Sequence, residues 1–497
     1  MIFIQNFPFF SVVVFLASAV ICSVLKPRAA RVLTLTVQCL VVTLSFATLL
    51  YTSGEDTFFR YNMGHFDAPW SNQLRAGVLD AMAAVAFSLV LLLSHIGGIR
   101  YAKTDIEPKK QNSYCTLLCL IGAALMALSY TNDLFTGYVF LEILTLSSCG
   151  ILVIRKAGRT TLAATRYMVI NLLGSGLFLL GVTLFYGTTG HLLMEYIKTG
   201  VTTLDTTGEY AIPLTVTIGL VSAGLAIKAG LFPFHTWMPD TYGTATPTSS
   251  AVLSGVVSKG YIFLLIKIMY RVVGVNTVAM TAARHILYVF GIVGIIMGSV
   301  WAMKSKYLNR MIAYSSAAQI GYIFVGIGLG GEAGFTAAMF QVLAHAFTKP
   351  LLFISGARLS EASLDSQAFS DLQGSAHRDK LAGAAFSIAA LSMVGIPTLA
   401  GFTVKLYFAV AAVEHSMFVD YVTLAVLAAS TLLNALYFIR TVIRIYIPAE
   451  KKADAAPKGR DIGLVIAAVG FAVCIVFLGV FPDTVSSLIS RGLGMFG

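Results

Sequence analysis

The sequence has few charged residues for its length. Only 11% of its 497 residues are Asp, Glu, Lys or Arg, whereas 57% are hydrophobic and the mean hydropathy is +0.82. A soluble globular domain carries roughly 25% charged residues, so the deficit excludes a large soluble core. Many apolar runs have the length of about 20 residues that a bilayer requires. The composition predicts an all-α integral membrane protein, because open sheet edges cannot be satisfied in lipid.

The cysteine and glycine patterns lack the common cofactor motifs. The six cysteines form no C-x-x-C pair and all lie in apolar runs, which is typical of buried small hydrophobic side chains. Two G-x-G-x-x-G matches, at 326–331 and 492–497, lack the strand and helix that a dinucleotide site requires. We therefore expect no cofactor, no metal, and neither a redox nor a hydrolytic site within this chain.

Fourteen apolar runs are long enough to be membrane-spanning helices. They lie at 8–25, 29–51, 76–97, 114–130, 131–154, 164–187, 213–234, 246–268, 283–303, 308–329, 331–357, 381–413, 416–446 and 461–484. No positively charged segment precedes the first run, which therefore predicts a retained helix and not a cleaved signal peptide.

Basic residues divide unevenly between the predicted loops. Loops after odd-numbered helices carry 23 lysines and arginines, whereas loops after even-numbered helices and the two ends carry six. Cytoplasmic loops carry the excess of Lys and Arg. The split predicts a multi-pass protein of a bacterial or archaeal-type inner membrane, with both termini outside. The net charge of +11 then reflects topology, and we expect lipid but no nucleic acid as a partner.

Five lysines remain after this division, and all lie inside predicted spans. They are Lys228, Lys259, Lys267, Lys349 and Lys405. Lys267 lies near a helix end, from which its side chain can extend to the membrane interface. A charge at the bilayer centre costs at least about 2.5–3.5 kcal/mol, so each of the other four needs a partner or a function.

Glycine and proline interrupt two of the predicted helices. The seventh contains Lys228 directly before Gly230 and Pro233, and the twelfth reads GIPTLAGFTVK, with Pro397 before Lys405. Proline removes a backbone donor and kinks a helix. A matched pair of broken helices in two halves of a membrane protein indicates an ion path between inverted repeats.

Acidic residues within the spans are few. Glu142 lies in the middle of the fifth helix, where it is either a hydrogen-bonding contact between helices or the partner of a lysine. Beside a lysine it would form a tunable proton site, because desolvation disfavours the ammonium and a carboxylate favours it. Asp80 and Asp133 lie nearer to helix ends, where capping is at least as good an explanation as function.

Two histidines stand at informative positions. His345 and Lys349 are four residues apart and share a helix face. A histidine beside an intramembrane lysine suits a proton relay, since it titrates close to neutral pH; alone, it would be a packing residue. His235 follows the break in the seventh helix, where a structural role with Trp237 and Asp240 and a role in proton uptake are equally good explanations.

Four stretches resemble the proton-conducting antiporter-like membrane subunits that respiratory complex I, Mrp-type cation/proton antiporters and membrane-bound hydrogenases share. They read IKAGLFPFHTWMPDTYGTATPTSSAVLSGVVSK, RMIAYSSAAQIGY, HAFTKPLLF and GIPTLAGFTVK. The resemblance implies fourteen helices with two inverted five-helix repeats, and broken helices seven and twelve. The implied division is 1–113 for helices 1–3, 114–270 and 271–446 for the two repeats, and 447–497 for the last helix.

The resemblance also implies roles for the buried charges. Glu142 and Lys228 match the carboxylate and lysine of the first half-channel, Lys259 matches the linking position, and Lys405 matches the exit lysine. His345 and Lys349 match the central relay. The expected partners are other membrane subunits of one complex, and the expected ion is the proton, with sodium as an alternative.

The subtype rests on small differences. A lysine at position 405 differs from the glutamate of the complex I subunit M pattern, and we expect no long lateral helix of the subunit L type, because the sequence ends just after the fourteenth apolar run. We favour an Mrp-type antiporter-like or hydrogenase-linked assignment, with complex I subunit N as the alternative. A transporter of an organic solute also uses broken helices, and solute binding without partners would favour it. A redox enzyme with its own quinone or flavin would be recognised by its absorbance spectrum.

Overall fold

Helices make up nearly all of the structure. The computed structural model describes residues 3–66, 71–155, 158–208, 210–274, 277–413, 417–448 and 461–496. Its α-helices are α1 (Phe7–Val24), α2 (Pro27–Gly54), α3 (Val78–Thr104), α4 (Gln111–Tyr130), α5 (Leu134–Val153), α6 (Gly158–Thr189), α7 (Met194–Thr207), α8 (Ala211–Ala229), α9 (Trp237–Thr244), α10 (Pro247–Val252), α11 (Ser258–Ile266), α12 (Val278–Lys304), α13 (Leu308–Leu329), α14 (Gly331–Glu361), α15 (Ser375–Arg378), α16 (Lys380–Val394), α17 (Ala400–Val413), α18 (Met417–Tyr446), α19 (Ile462–Val480) and α20 (Pro482–Gly494). Two π-helical segments, Leu253–Val257 and Lys267–Val273, flank α11.

The predicted all-α integral membrane fold is confirmed. In the described residues, thirteen helices are long and apolar enough to cross a membrane, and two shorter apolar helices, α16 and α17, occupy the predicted twelfth span. The seventh span is longer than predicted, because α9 continues the path of α8 as far as Thr244. The break at Gly230 therefore interrupts this span without ending it.

The two broken helices end their first halves in the same way. α8 stops at Gly230 (φ +83°) and α16 stops at Gly395 (φ +94°), both in the left-handed conformation that glycine adopts at low cost. The glycine N–H donates to the carbonyl four residues earlier, Ala226 at 3.1 Å and Leu391 at 3.0 Å. The following residue also donates to that carbonyl in both helices. The same glycine-ended backbone turn thus interrupts a predicted membrane helix in each half of the chain.

Glycines allow close contact between neighbouring helices. A Cβ atom at Gly291 in α12 would lie 2.9 Å from the Gly321 carbonyl oxygen in α13, and one at Gly224 in α8 would lie 2.6 Å from that of Gly174 in α6. Small residues at such crossings let backbones approach, which stabilises helix pairs in lipid where no hydrophobic force acts between them.

A small cap covers one end of the bundle and was not predicted. Strands β1 (Phe59–Asn62) and β2 (Gln73–Ala76) pair antiparallel, with Phe59 opposite Ala76. Residue 131 also bridges to β2, and Asp133 to Leu193 just before α7. These strands are only four residues long, which is too short for an alternating pattern to be distinguished from a loop.

The prediction that Lys267 extends to the interface is wrong. Its side chain is fully buried, its Nζ lies 3.0 Å from the Asp80 carboxylate, and it donates to the Ser129 carbonyl at the end of α4. Arg75, also buried, lies 3.6 Å from the same carboxylate, and Arg271 is 6% exposed nearby. The lysine stays inside the protein because the end of α4 offers it acceptors: Nζ donates to the carbonyls of Leu128, Ser129 and Thr131.

The two acidic residues near helix ends do act as caps. Asp133 accepts from the Thr136 N–H at 2.6 Å at the start of α5, and Asp80 accepts from the Gly77 N–H at 3.0 Å at the start of α3. Asp80 differs from Asp133 because its carboxylate also offsets part of the positive charge of Arg75, Lys267 and Arg271. We call these four residues the Asp80 cluster.

The Asp80 cluster predicts an asymmetric loss of stability. Asp80→Asn leaves Arg75, Lys267 and Arg271 buried without a counter-charge and should destabilise the protein by about 3–5 kcal/mol. Lys267→Met should cost less, since Asp80 keeps Arg75 and its cap. Thermal unfolding of the purified chain measures both. Asp56→Asn, which removes the exposed partner of Arg491, is the matched control; equal losses for it and Asp80→Asn would contradict this account.

Candidate functional site

Glu142 and Lys228 form an ion pair in the interior of the bundle. The Lys228 Nζ lies 3.4 Å from the Glu142 carboxylate and donates to the Thr145 hydroxyl at 2.7 Å. Lys228 is fully buried, whereas 21% of the Glu142 side chain is exposed. The structure thus brings together the two residues that the sequence analysis paired, and the carboxylate is the partner with room to move.

Local geometry directs Lys228 toward α5. The lysine lies in the last turn of α8, where the helix dipole favours a cation. Glu142 and Thr145 are three residues apart on one face of α5, so both reach the same ammonium group. Gly174 on α6 makes room for the lysine stem, because a Cβ there would lie 2.9 Å from the Lys228 Cγ.

Hydroxyl groups continue the polar row from this pair toward α11. The Tyr261 hydroxyl lies 3.0 Å from the Thr145 Oγ1 and 3.5 Å from the Tyr167 hydroxyl, and the Lys228 Nζ lies 5.4 Å from the Tyr261 ring centroid. Lys259 lies two residues before Tyr261 in the chain. It is fully buried and donates to the Ser254 carbonyl, which belongs to the π-helical segment Leu253–Val257. Such segments release carbonyls from the helical ladder.

A serine contact joins this first half to α13. The Ser254 and Ser316 hydroxyl oxygens are 3.1 Å apart. The adjacent Ser315 accepts a hydrogen bond from Lys349 on α14, whose Nζ also donates to the Ile312 carbonyl at 3.1 Å. Lys349 is therefore held by α13 groups, and the row of polar contacts crosses from one half of the chain to the other at Ser254 and Ser316.

His345 lies one turn from Lys349 on α14 and is 1% exposed. Both of its ring nitrogens are buried without a hydrogen-bond partner in the part of the chain that the structure describes. Lys259 and Lys349 both act electrostatically on the ring. Buried polar atoms nearly always have a partner, protein or water, so a histidine with two free nitrogens is suited to bind water.

A narrow cavity connects His345 with Lys405. Its walls also include Gln319, Gln341 and Thr348, and the space open to the centre of a water-sized sphere is about 10 Å³, which is room for about one water molecule. Lys405 is half-buried and donates to the Val394 carbonyl, at the broken end of α16. The six sequence-predicted residues thus fall into three groups that follow one another from Glu142 to Lys405 and that we call the buried row: Glu142 with Lys228, Lys259 with Lys349 across the Ser254–Ser316 contact, and His345 with Lys405 beside the cavity.

His235 has different neighbours from those predicted. Its ring stacks on Trp301, with ring centroids 4.9 Å apart, and on Phe232 at 5.6 Å. Asp240 instead pairs with Arg166 and Arg310 on two other helices, at 2.6 and 2.8 Å. Asp240 pairs elsewhere because it belongs to helix α9, which the sequence did not predict, and there it lies beside Arg166 and Arg310 rather than beside His235.

Sequence reasoning missed the neutral members of the row. Thr145, Tyr261, Ser254, Ser315 and Ser316 carry no charge, and such residues are common in membrane helices. Their spacing gave a signal for two of them: Thr145 lies one turn from Glu142, and Ser315 is half of a polar pair within an apolar run. The others depend on which helices meet, which the sequence pattern does not contain.

A helical membrane bundle with two glycine-broken helices and a buried row of lysines defines an antiporter-like membrane subunit. Residues 131–432 match the family model described as NADH:quinone oxidoreductase/Mrp antiporter, transmembrane. NADH-quinone oxidoreductase subunit N of Desulforudis audaxviator is 32% identical over 450 residues, 86% of each chain. Subunit N of Thiobacillus denitrificans is 32% identical over 76% of each chain. The chain therefore belongs to the NADH:quinone oxidoreductase/Mrp antiporter family and is a multi-pass membrane protein.

Solved structures share the fold. A chain of an archaeal membrane-bound sulfane sulfur reductase superposes with a TM-score of 0.87 at 22% identity, covering 98% of this chain and 97% of the other. A chain of the Mrp complex from Dietzia sp. gives 0.86 at 23%, covering 99% and 97%. A chain of respiratory complex I from Thermus thermophilus gives 0.73 at 23%, covering 97% and 100%. The two sequence relatives carry the name of the alternative subtype, subunit N.

Proposed function

We propose that this chain translocates protons as one membrane subunit of a multisubunit complex. The observation that carries the proposal is the buried row of groups from the Glu142–Lys228 pair to Lys405. Its contacts link the lysines to a carboxylate, to hydroxyl groups and to backbone carbonyls, and the lysines lie where a permanent charge is costly. The names of the relatives favour a complex of the NADH-quinone oxidoreductase type, with this chain in the position of subunit N.

Lys228 is the group whose charge we expect to change. Desolvation disfavours its ammonium form, whereas the Glu142 carboxylate favours it. The contact between them is long at 3.4 Å, and Glu142 is partly exposed. A shift of Glu142 toward Lys228 would therefore load a proton on the lysine, and a shift away would release it to Thr145 and Tyr261.

Hydroxyl groups carry the proton across the centre. A serine, threonine or tyrosine hydroxyl donates one hydrogen and accepts others, so it can receive a proton on one side and release one on the other. In this proposal Tyr261 receives the proton from Thr145 and passes it to Lys259, two residues earlier on the same helix, and the Ser254–Ser316 contact carries it between the two halves.

His345 completes the path. A neutral imidazole accepts at one ring nitrogen and donates from the other, and both nitrogens of His345 are free of protein partners among the described residues. A water molecule in the adjacent cavity would carry the proton from the ring to Lys405. Protons suit this row better than sodium, because sodium prefers several oxygen ligands and would meet a row of lysines.

We assign the chain to two inverted repeats, 114–270 and 271–446, preceded by helices 1–3 at 1–113 and followed by the last helix at 447–497. The matched ends of α8 and α16, at Gly230 and Gly395, support this division. A break of the same geometry in each half gives each half an opening for protons.

Substitution of Lys228 by arginine tests the proposal most simply. Arginine keeps the positive charge but does not deprotonate in proteins. Lys228→Arg should therefore reduce proton translocation by the assembled complex by at least about tenfold, as Lys228→Ala should. Proton flux into vesicles that contain the intact complex measures it. Lys198→Arg, at a half-buried lysine outside the row, is the matched control. An assembled Lys228→Arg complex that pumps at the wild-type rate would make Lys228 a structural charge.

The central relay gives a second test. His345→Ala removes a titratable ring and should lower the proton flux by about tenfold while the complex still assembles. His377→Ala, at an exposed histidine, should leave the flux unchanged. Wild-type flux in an assembled complex with both His345→Ala and Lys349→Ala would remove these two residues from the path.

The orientation in the membrane is a further part of the proposal. The 23-to-six division of basic residues between the loops predicts that the 98–113 loop is cytoplasmic and that both termini are outside. The same rule predicts a cytoplasmic 447–460 connection, which lies outside the described residues from 449 onward. In a Cys39→Ser background, Lys109→Cys should resist an impermeant thiol reagent in intact cells, whereas Thr206→Cys in α7 should react. Both positions are exposed. The reverse pattern would overturn the orientation.

A further inference from the structure

A basic cavity lies where α12, α13 and α18 end on one side of the bundle, away from the buried row. Its volume is about 510 Å³. The floor is formed by Met311, Tyr437 and Thr441, and segment 368–370 closes one side by pairing of Ala368 with Tyr307. A cavity of this size holds a small molecule or the head of a larger one.

Three cations face this cavity. Lys306 follows α12, and Arg440 and Arg444 lie one turn apart on α18. None of the three has an ion-pair partner within the described ranges, and no acidic side chain is among the cavity's described lining residues. Arg310 on the neighbouring helix α13 is, by contrast, paired with Asp240. The cavity therefore carries three uncompensated positive charges, which favours an anion.

The outer wall of the cavity is apolar and continues along the bundle. Leu432 and Leu436 lie at four-residue spacing below Arg440 on α18 and are 62% and 49% exposed. Met303 on α12, also on the cavity wall, is 39% exposed. These side chains belong to helices that are long and apolar enough to cross a membrane, so we expect them to face hydrocarbon. An anion bound here would sit directly above an apolar strip.

We propose that this cavity binds the phosphate headgroup of an anionic phospholipid, whose acyl chains lie along the Leu432–Leu436 strip. Two arginines supply paired donors that match phosphate oxygens, and Lys306 adds a point charge. The exposed apolar strip is what distinguishes a lipid from free phosphate, because only a lipid gains from covering it. A basic pocket between helices at the membrane surface is well suited to such a headgroup.

Native mass spectrometry of the delipidated full chain tests the proposal. Phosphatidylglycerol should be retained, phosphatidylcholine should be retained weakly, and inorganic phosphate should neither bind nor displace phosphatidylglycerol. The triple variant Lys306→Gln, Arg440→Gln, Arg444→Gln should weaken phosphatidylglycerol binding by on the order of tenfold to a hundredfold, since each basic residue near an anionic lipid contributes roughly fivefold. The double variant Lys306→Gln, Arg440→Gln alters only exposed side chains and should show an intermediate loss.

A charge-matched control separates the cavity from general attraction. Lys109→Gln, Lys304→Gln, Lys380→Gln removes three exposed lysines that do not line it and should leave binding within about twofold of wild type, since the site charges remain. Equal losses for the control and the cavity variant, or phosphate binding as tight as lipid binding, would overturn the proposal. A third outcome would also overturn it: the free chain binds phosphatidylglycerol, but the whole complex isolated from membranes does not. A neighbouring subunit would then cover the cavity.

Discussion

A lysine ammonium inside a membrane must be given oxygen atoms by the protein, and this requirement governs the irregular parts of the bundle. Lys405 donates to the Val394 carbonyl at a broken helix end, and Lys259 to the Ser254 carbonyl in a π-helical segment. Lys349 uses the Ile312 carbonyl. Regular helices consume their own carbonyls. The breaks and π-helical segments are therefore places where this chain can hold buried lysines, and each stands next to one. Lys349 differs, because its acceptors are the Ile312 carbonyl and the Ser315 hydroxyl of the regular helix α13.

The buried lysines differ in how firmly they are held. Lys267 has the Asp80 carboxylate at 3.0 Å and a carbonyl at the end of α4, all in a fully buried cluster. Lys228 has a partly exposed carboxylate at 3.4 Å and one hydroxyl. The surroundings of Lys267 stabilise a permanent ammonium charge, whereas those of Lys228 suit a group that changes its charge. The contrast is what the proposal requires of a structural lysine, Lys267, and of a proton-carrying one, Lys228.

The sequence alone was sufficient to predict the features that depend on neighbouring residues in the chain. Span length, the Gly230 and Gly395 breaks and the candidates Glu142 and Lys228 follow from hydropathy, turn chemistry and the cost of buried charge. The partners were harder, because they depend on which helices meet. Lys267 was misplaced since its distance from a helix end does not reveal that Asp80 lies beside it. Neutral groups such as Tyr261 gave no charge signal, although its hydroxyl lies 3.0 Å from that of Thr145, to which Lys228 donates.

The central claim is that buried lysines lose and regain their protons during the cycle. Infrared difference spectroscopy of the intact complex with ¹⁵N-labelled lysine measures this most directly, by comparing the resting state with the driven state. The account predicts isotope-shifted ammonium bands that differ between the two states and weaken when Lys349 is replaced by methionine. Lysine bands that are identical in both states of an actively pumping complex would show that the buried lysines keep their charge, and would contradict it.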